Sequence, residues 1–293
     1  MSARAIQATM LPDGRRLHLQ HGPIDLVIEG FGEPSEVRDA YRQARLAFED
    51  VLPMLVRELA ILKSPLERSA PAVAGPVAKR MVAACWPYRR SFITPMAAVA
   101  GAVADHVLAE MLAGRSLARA YVNDGGDIAF HLAPGETLAC GLVSDLTAPA
   151  IDGMLELTSD LPARGLATSG WRGKGQGGRS FSFGIADAVT VLAHDGAAAD
   201  AAASMIANAV DLPGHRAILR QPASDIDPDS DLGQRLVTVD VALLPEADVR
   251  TALARGVAEA NRLQAAGLVY GAVLVLQRQY ACVGAGLARL AAA

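Results

Sequence analysis

The chain has 293 residues, 52% of them hydrophobic and 20% charged, which excludes a disordered polyelectrolyte and supplies apolar side chains for a sizeable core. A formal net charge of -4 and only 4% aromatic residues exclude nucleic acid as the main partner, since a polyanion would be repelled and few rings are present to stack on bases. Cys85, Cys140 and Cys282 lie far apart without Cys-x-x-Cys spacing, so neither a disulfide framework nor a zinc site is expected. That cysteine usage fits a reducing compartment, and Met1 to Gln7 carries no apolar signal core, so a cytoplasmic location is expected. The uncharged run Met96 to Ala104 is too short to cross a bilayer, and no membrane segment is expected.

In chain order, Arg15 to His21 and Ile24 to Gly30 flank Gly22-Pro23 and read as a β-hairpin, with His18 and His21 on its surface. Pro34-Ser35-Glu36 reads as a helix start with Ser35 as N-cap. The apolar positions Val37, Tyr41, Ala44, Phe48, Val51, Leu55, Leu59 and Leu62 then predict one amphipathic helix kinked near Pro53. Ser64 to Pro76 is a connection, Met81 to Trp86 reads as a strand, and Thr94 to Ala113 as a helix of small side chains. Such a helix lets another backbone approach closely and can leave N-terminal amides open to a phosphate; a buried Ala-rich core helix explains its composition equally well.

Tyr121-Val122-Asn123-Asp124-Gly125-Gly126-Asp127-Ile128 predicts strand, tight turn, strand, because glycine accepts positive φ and has no Cβ. A plain hairpin and a ligand-binding bend both use these residues. Ile128 to Leu132 and Thr137 to Ser144 then predict a second hairpin around Pro134-Gly135, and Met154 to Leu157 a short strand. Gly165 to Gly170 leads into the loop Trp171 to Arg179. Gly173, Gly175 and Gly178 in that loop match a dinucleotide fingerprint in form only, since Ser180 to Phe183 is expected to return to strand instead of opening a helix. A strand at Asp187 to Ala193 precedes a helix at Ala197 to Val210, on which Asp200 and Ser204 stand four residues apart, on one face and able to share a hard cation. Asp225 to Asp231 is read as an acidic loop without EF-hand spacing. A strand at Leu236 to Leu243, a helix from Pro245 to Ala266 ended by Gly267, and two closing strands complete the chain.

Four stretches stand in order: the small-residue helix, Asn123-Asp124-Gly125-Gly126-Asp127, Ala167-Thr168-Ser169-Gly170, and Ala199-Asp200-Ala201-Ala202-Ala203-Ser204. Together they resemble the ApbE-like superfamily, FAD:protein FMN transferases dependent on magnesium, and this chain looks closest to its cytosolic branch. The resemblance implies an α+β fold, mainly antiparallel, in one domain of two intertwined T-fold-like halves with a ligand site between them. It implies Mg2+ held by the Ala97 carbonyl, Asp200 and Ser204, and an FAD site lined by Asn123, Gly125, Gly126, Asp127, Thr168, Ser169 and Gly170. An acceptor protein is then a partner, the catalytic residue stays unassigned, and a homo-oligomer stays open. Two departures stand out: Ala100 replaces the family lysine, and Phe183-Gly184-Ile185-Ala186-Asp187 replaces its His-Ile-x-Asp-Pro segment. A flavin-binding protein without transferase activity is the alternative they leave.

Overall fold

The computed structural model describes residues 6–143, 153–172 and 181–284. The chain forms two compact units from interleaved segments: the first comprises Met1–Leu138, Leu157–Leu166 and His194–Asp200, the second Ala139–Glu156, Ala167–Ala193 and Ala201–Ala293. The expected loop residues 173–180 and Ser144 lie outside the described residues.

In the first unit, β1 (Gln7–Met10), β2 (Leu17–His21), β3 (Ile24–Gly32), β4 (Leu117–Asp124) and β5 (Asp127–Leu132) pair antiparallel in that order. Alternation sets their register: Leu17 faces Ile28 and Leu19 faces Leu26, all buried on one side of the sheet. Strand β1, four residues long and exposed throughout, is not foreseen from the sequence. His21 departs from the expected surface position. It is buried, meets Phe48 edge to face at 6.2 Å, and its Nδ1 finds no partner among the described residues.

The predicted long helix is two helices, α1 (Pro34–Glu49) and α2 (Val51–Leu62), and the break falls at Asp50 rather than at Pro53. A proline clashes with the carbonyl four residues before it, here that of Glu49, so the interruption precedes the ring. Pro53 becomes the third residue of α2, where its missing N–H would have had no acceptor, and the first ladder bond of α2 runs from Met54 N–H to the Asp50 carbonyl. Glu33, and not Ser35, occupies the N-cap of α1, with Pro34 at its first turn.

Met81 to Trp86 is not a strand. It belongs to α3 (Pro76–Cys85), whose buried Val77, Ala78, Met81, Val82 and Cys85 follow helical spacing, and a 3-10 turn at Trp86–Tyr88 closes it. The small-residue stretch forms a 3-10 turn, Pro95–Ala98, followed by α4 (Val99–Leu112), which packs on α1, α3, β4 and β5. By length and composition Pro95–Leu112 could cross a membrane, with mean hydropathy 1.3 over 18 residues, but 61% of it is buried inside the protein, as in a core helix.

The predicted hairpin of Thr137 to Ser144 with the preceding strand does not form. Instead β6 (Thr137–Leu142) pairs with β7 (Gly153–Thr158) in a separate two-stranded sheet. The next strand, β8 (Gly165–Ser169), extends the first unit's sheet through Gly165 and Leu166, which pair antiparallel with Ala129 and Ile128 of β5.

The second unit takes up the rest of β8, then β9 (Ala188–Ala193), and its sheet order is β8, β9, β12 (Gly271–Leu276), β13 (Gln279–Val283). Every residue of β9 and β12 is buried, and the two pair antiparallel. Helix α5 (Gly196–Ala209) begins in the first unit and ends in the second. Phe181 to Phe183 does not return to strand. Asn208 Oδ1 accepts from the Ser182 hydroxyl at 3.2 Å and from Phe183 N–H at 2.9 Å, so a side chain takes the place of a ladder.

Strand β10 (Ile218–Pro222), unforeseen, pairs with β11 (Leu236–Val241), and one helical turn, α6 (Ala223–Ile226), leads into the acidic loop. Helix α7 (Glu246–Ala265) packs on β12 and β13. Gly267 ends it as expected, with φ +71°. Its N–H donates to the Gln264 carbonyl at 2.9 Å, and Leu268 N–H donates to the Leu263 carbonyl at 3.0 Å, a Schellman cap.

Gly184 tests how tightly the second unit is packed. A Cβ there would lie 2.0 Å from the Ala207 carbonyl oxygen and 2.8 Å from that of Val210, against backbone that cannot turn aside. Gly184→Ala is expected to destabilise by at least about 3 kcal/mol in urea unfolding. Gly114→Ala, at φ +67° in open space, is expected to cost only about 1 kcal/mol.

Candidate functional site

The Asn-Asp-Gly-Gly-Asp stretch joins β4 to β5 through a two-residue turn, with Asp124 paired to Asp127. Gly125 and Gly126 have φ of +62° and +111°, values that L side chains rarely adopt, and this is why both are glycine. A Cβ on either would meet nothing within 4 Å, so the turn presents bare backbone to open space. Asn123 holds it: its Oδ1 accepts from Gly126 N–H at 2.8 Å.

Burial, then the charges of Asp127 and Asp25, pushes the Asp124 pKa up to about 8, against one donated N–H from Asp25. Asp124 is therefore neutral at pH 7. The turn opposes an anion less than three ionised aspartates would.

Helices α4 and α5 cap each other within the first unit. The N–H groups of Gly196, Ala197 and Ala198 at the start of α5 have no acceptor within the helix ladder, and all three are satisfied by aspartate side chains. Asp105 of α4 accepts from Gly196 and Ala197, each at 2.8 Å, through different oxygens. Asp195 accepts from Ala198 through its carboxylate at 2.8 Å and from Ala199 through its carbonyl at 3.1 Å. In return Asp200 Oδ2 accepts from Gly101 N–H, 3.2 Å away in the first turn of α4. The Gly101 amide is therefore engaged by the protein itself.

A Cβ on Gly101 would sit 2.1 Å from the Gly196 carbonyl oxygen, so this close passage requires glycine. Burial first, and the Asp195 charge second, raises the Asp105 pKa to about 6, although the Ala197 and Gly196 amides and Arg80 pull the other way. Sequence reading missed Asp105, whose only signal is a carboxylate inside the apolar run Val99 to Leu112.

Ala97 lies in the 3-10 turn that precedes α4. Ala98, with φ -129° and ψ 18°, is the N-cap of α4, so the ladder of α4 starts at Ala98 and the Ala97 carbonyl stands before it. Asp200 is 8% exposed. Among the described residues no three His, Cys, Asp or Glu side chains are grouped to hold a metal. A cation here would rest on one carboxylate plus carbonyl oxygen, a donor set that fits Mg2+, which completes its octahedron with water and phosphate.

In the second unit, Thr168 and Thr190 share a hydroxyl hydrogen bond at 2.8 Å, and the Ser169 and Ser204 hydroxyls lie 3.5 Å apart. The structure thus brings Ser169 and Ser204 together. Gly170 serves packing: a Cβ there would be 2.4 Å from the Asp187 carbonyl oxygen.

From the sequence Asp187 is read only as a strand start and as the end of the segment that departs from the family. Its carboxylate accepts from Gln277 N–H and faces Arg172 at 3.5 Å. Gln277 and Arg278 form the β12–β13 turn at φ +46° and +65° without glycine, a strained pair. The Gln277 side chain accepts from Leu244 N–H at 3.0 Å and donates to the Ala242 carbonyl at 2.9 Å.

The two raised carboxyl groups set a pH dependence. Where the folded pKa exceeds the unfolded value near 3.8, the folded state keeps a proton that the unfolded chain has lost, so stability falls as pH rises. Unfolding free energy is expected to fall by about 3 kcal/mol between pH 4 and 6 through Asp105. The contribution of Asp124 is lost up to about pH 8. Urea titrations across this range check it: Asp105→Asn should remove the lower step and Asp124→Asn the upper.

Among curated proteins, the chain is 36% identical over 168 residues to a UPF0280 protein of Methanothrix thermoacetophila, covering 57% of this chain and 65% of the relative. It is 36% identical over 122 residues to a UPF0280 protein of Archaeoglobus fulgidus, covering 40% and 45%. The chain thus spans less than two thirds of the length of each. Of solved structures, the flavin transferase ApbE from Vibrio cholerae aligns over 98% of this chain and 100% of its own, with 13% identity and a TM-score of 0.49. The apo flavinyl transferase ApbE of Pseudomonas stutzeri aligns over 98% and 96%, with 12% identity and a TM-score of 0.45. A family model described as AbpE bacteria matches residues 8–285, nearly the whole chain, and the chain belongs to that family.

Proposed function

We propose that the protein binds FAD with Mg2+ and transfers its FMN part to a hydroxyl group of an acceptor protein. The observation that carries this reading is the start of α4, where the buried Asp200 carboxylate reaches the Gly101 amide and the Ala97 carbonyl stands ahead of the helix ladder. These are oxygen donors of the kind Mg2+ prefers, and the resemblance adds Ser204, one turn further along α5. Bound Mg2+ would neutralise charge on a diphosphate.

The chain's own residues supply recognition. The Gly125-Gly126 turn, open and shaped by Asn123, offers backbone to a ligand, and the neutral Asp124 lowers the repulsion of an anion. The resemblance assigns Asp127, Thr168, Ser169 and Gly170 to the nucleotide as well. We infer the cytoplasm as the place of action from cysteine usage.

A second reading, flavin binding without transfer, is favoured by Ala100 and by the segment Phe183 to Asp187. Asp187 is engaged by Gln277 and Arg172, which gives it a structural task in place of a catalytic one.

Thermal unfolding with FAD, FMN or ADP, each with Mg2+ or EDTA, tests binding. A rise of several degrees with FAD and Mg2+ is expected, since ligand at about 100 times its Kd adds about 2.7 kcal/mol. Asp200→Asn, which retains an acceptor for Gly101, should lose the Mg2+ dependence. No shift with any nucleotide overturns both readings. Intact-mass measurement after incubation with FAD, Mg2+ and a Ser/Thr-containing acceptor then separates them, transfer appearing as an FMN adduct.

A further inference from the structure

Asp200 and the Ala97 carbonyl belong to different helical segments, so a cation that used both would depend on whatever fixes α4 against α5. A helix that continued back through Ala97 would give the Gly101 N–H to the Ala97 carbonyl, four residues earlier. That N–H goes instead to Asp200 Oδ2 at 3.2 Å, and the ladder of α4 begins only at Ala98. The Asp200 carboxylate thus takes the place of the Ala97 carbonyl at this amide.

Asp105 closes the arrangement from the other side. It stands one turn beyond Gly101 on α4 and accepts from Gly196 and Ala197, one turn before Asp200 on α5, at 2.8 Å each. The helices are therefore tied at two points, spaced by one turn on each. A single tie is a pivot about which a helix can swing, whereas two ties fix separation and rotation together. Asp105 is only 8% exposed, and hydrogen bonds in such a dry setting are strong. The crossing has no slack either: a Cβ on Gly196 would lie 2.9 Å from the Gly101 carbonyl oxygen.

Mg2+ tolerates little error in the spacing of its donors. It requires them at about 2.0–2.1 Å in near-ideal octahedral geometry, whereas Ca2+ accepts about 2.3–2.6 Å and irregular arrays. We propose that Asp105, on the cation reading given above, is a positioning residue: by fixing α4 against α5 it holds Asp200 and the Ala97 carbonyl at the separation Mg2+ needs, and so favours Mg2+ over Ca2+. A residue that merely capped α5 would support the fold without regard to which cation is bound.

Calorimetric titrations of the full chain with MgCl2 and with CaCl2, in the presence of FAD, test this role. Asp105→Asn keeps one acceptor oxygen and turns an amino group towards the amide that the other oxygen served, so one of the bonds to α5 is lost. The Mg2+ Kd is expected to rise roughly tenfold or more, as when other groups that orient a metal ligand are removed, while the Ca2+ Kd changes less than about threefold. Asp105→Glu, with both acceptors carried further out by one methylene, should lower the same preference. Gly114→Ala, a destabilising change just past the far end of α4, should leave both constants unchanged, which separates loss of stability from loss of position. An equal rise in both Kd values, or unchanged Mg2+ binding in an Asp105 variant that circular dichroism shows to be folded, overturns the proposal and leaves the cation reading intact. Absence of Mg2+ binding to the parent chain overturns both.

Discussion

Asp105 is the residue on which the first unit turns. A helix start leaves amides without partners, and burying such a start is costly unless an acceptor follows it inside. One carboxylate bonds two of those amides at the start of α5, and Asp200 bonds one in return at the start of α4. The exchange is possible only because Gly101 and Gly196 have no side chains, so each helix presents its backbone to the other. Loss of either glycine would move the acceptors out of reach of their donors.

The same exchange explains the composition. A core with few aromatic residues must gain dispersion energy from close approach of backbones, and alanine and glycine permit it. Along α5 the residues Ala197 to Ala203 are buried, Asp200 among them. The carboxylate is tolerated there because its oxygen has a backbone donor, and the low dielectric strengthens that bond. Helix and acid are parts of one arrangement.

This bears on how a phosphate or metal could be held. Helix starts attract anions when their amides are free, but at α5 those of Gly196, Ala197 and Ala198 are satisfied by aspartates of the same chain. Under the proposed function, recognition of a diphosphate would fall to other groups: the open Gly125-Gly126 turn, and a cation beside Asp200. The replacements at Ala100 and at Phe183 to Asp187 mark where this chain differs.

Features governed by nearest neighbours in the chain could be read from the residues alone. The Gly-Gly turn, the hairpin at Gly22-Pro23, the Schellman glycine Gly267 and the buried strand β9 follow from φ preferences and apolar patterning, which act over a few residues. The break before Pro53 was legible in kind and misplaced by three residues, because a proline disturbs the turn behind it. What a side chain meets at long range was not legible. His21 was buried by Phe48, β6 chose β7 as its partner, and Asp105 found amides 91 and 92 residues away. Sequence by itself determined the antiparallel α+β class, the turn and the family, since these rest on local conformational energy and on ordered motifs. Only tertiary structure decided which carboxylates are buried, capped or neutral, since desolvation and hydrogen bonding depend on neighbours that folding alone brings within reach.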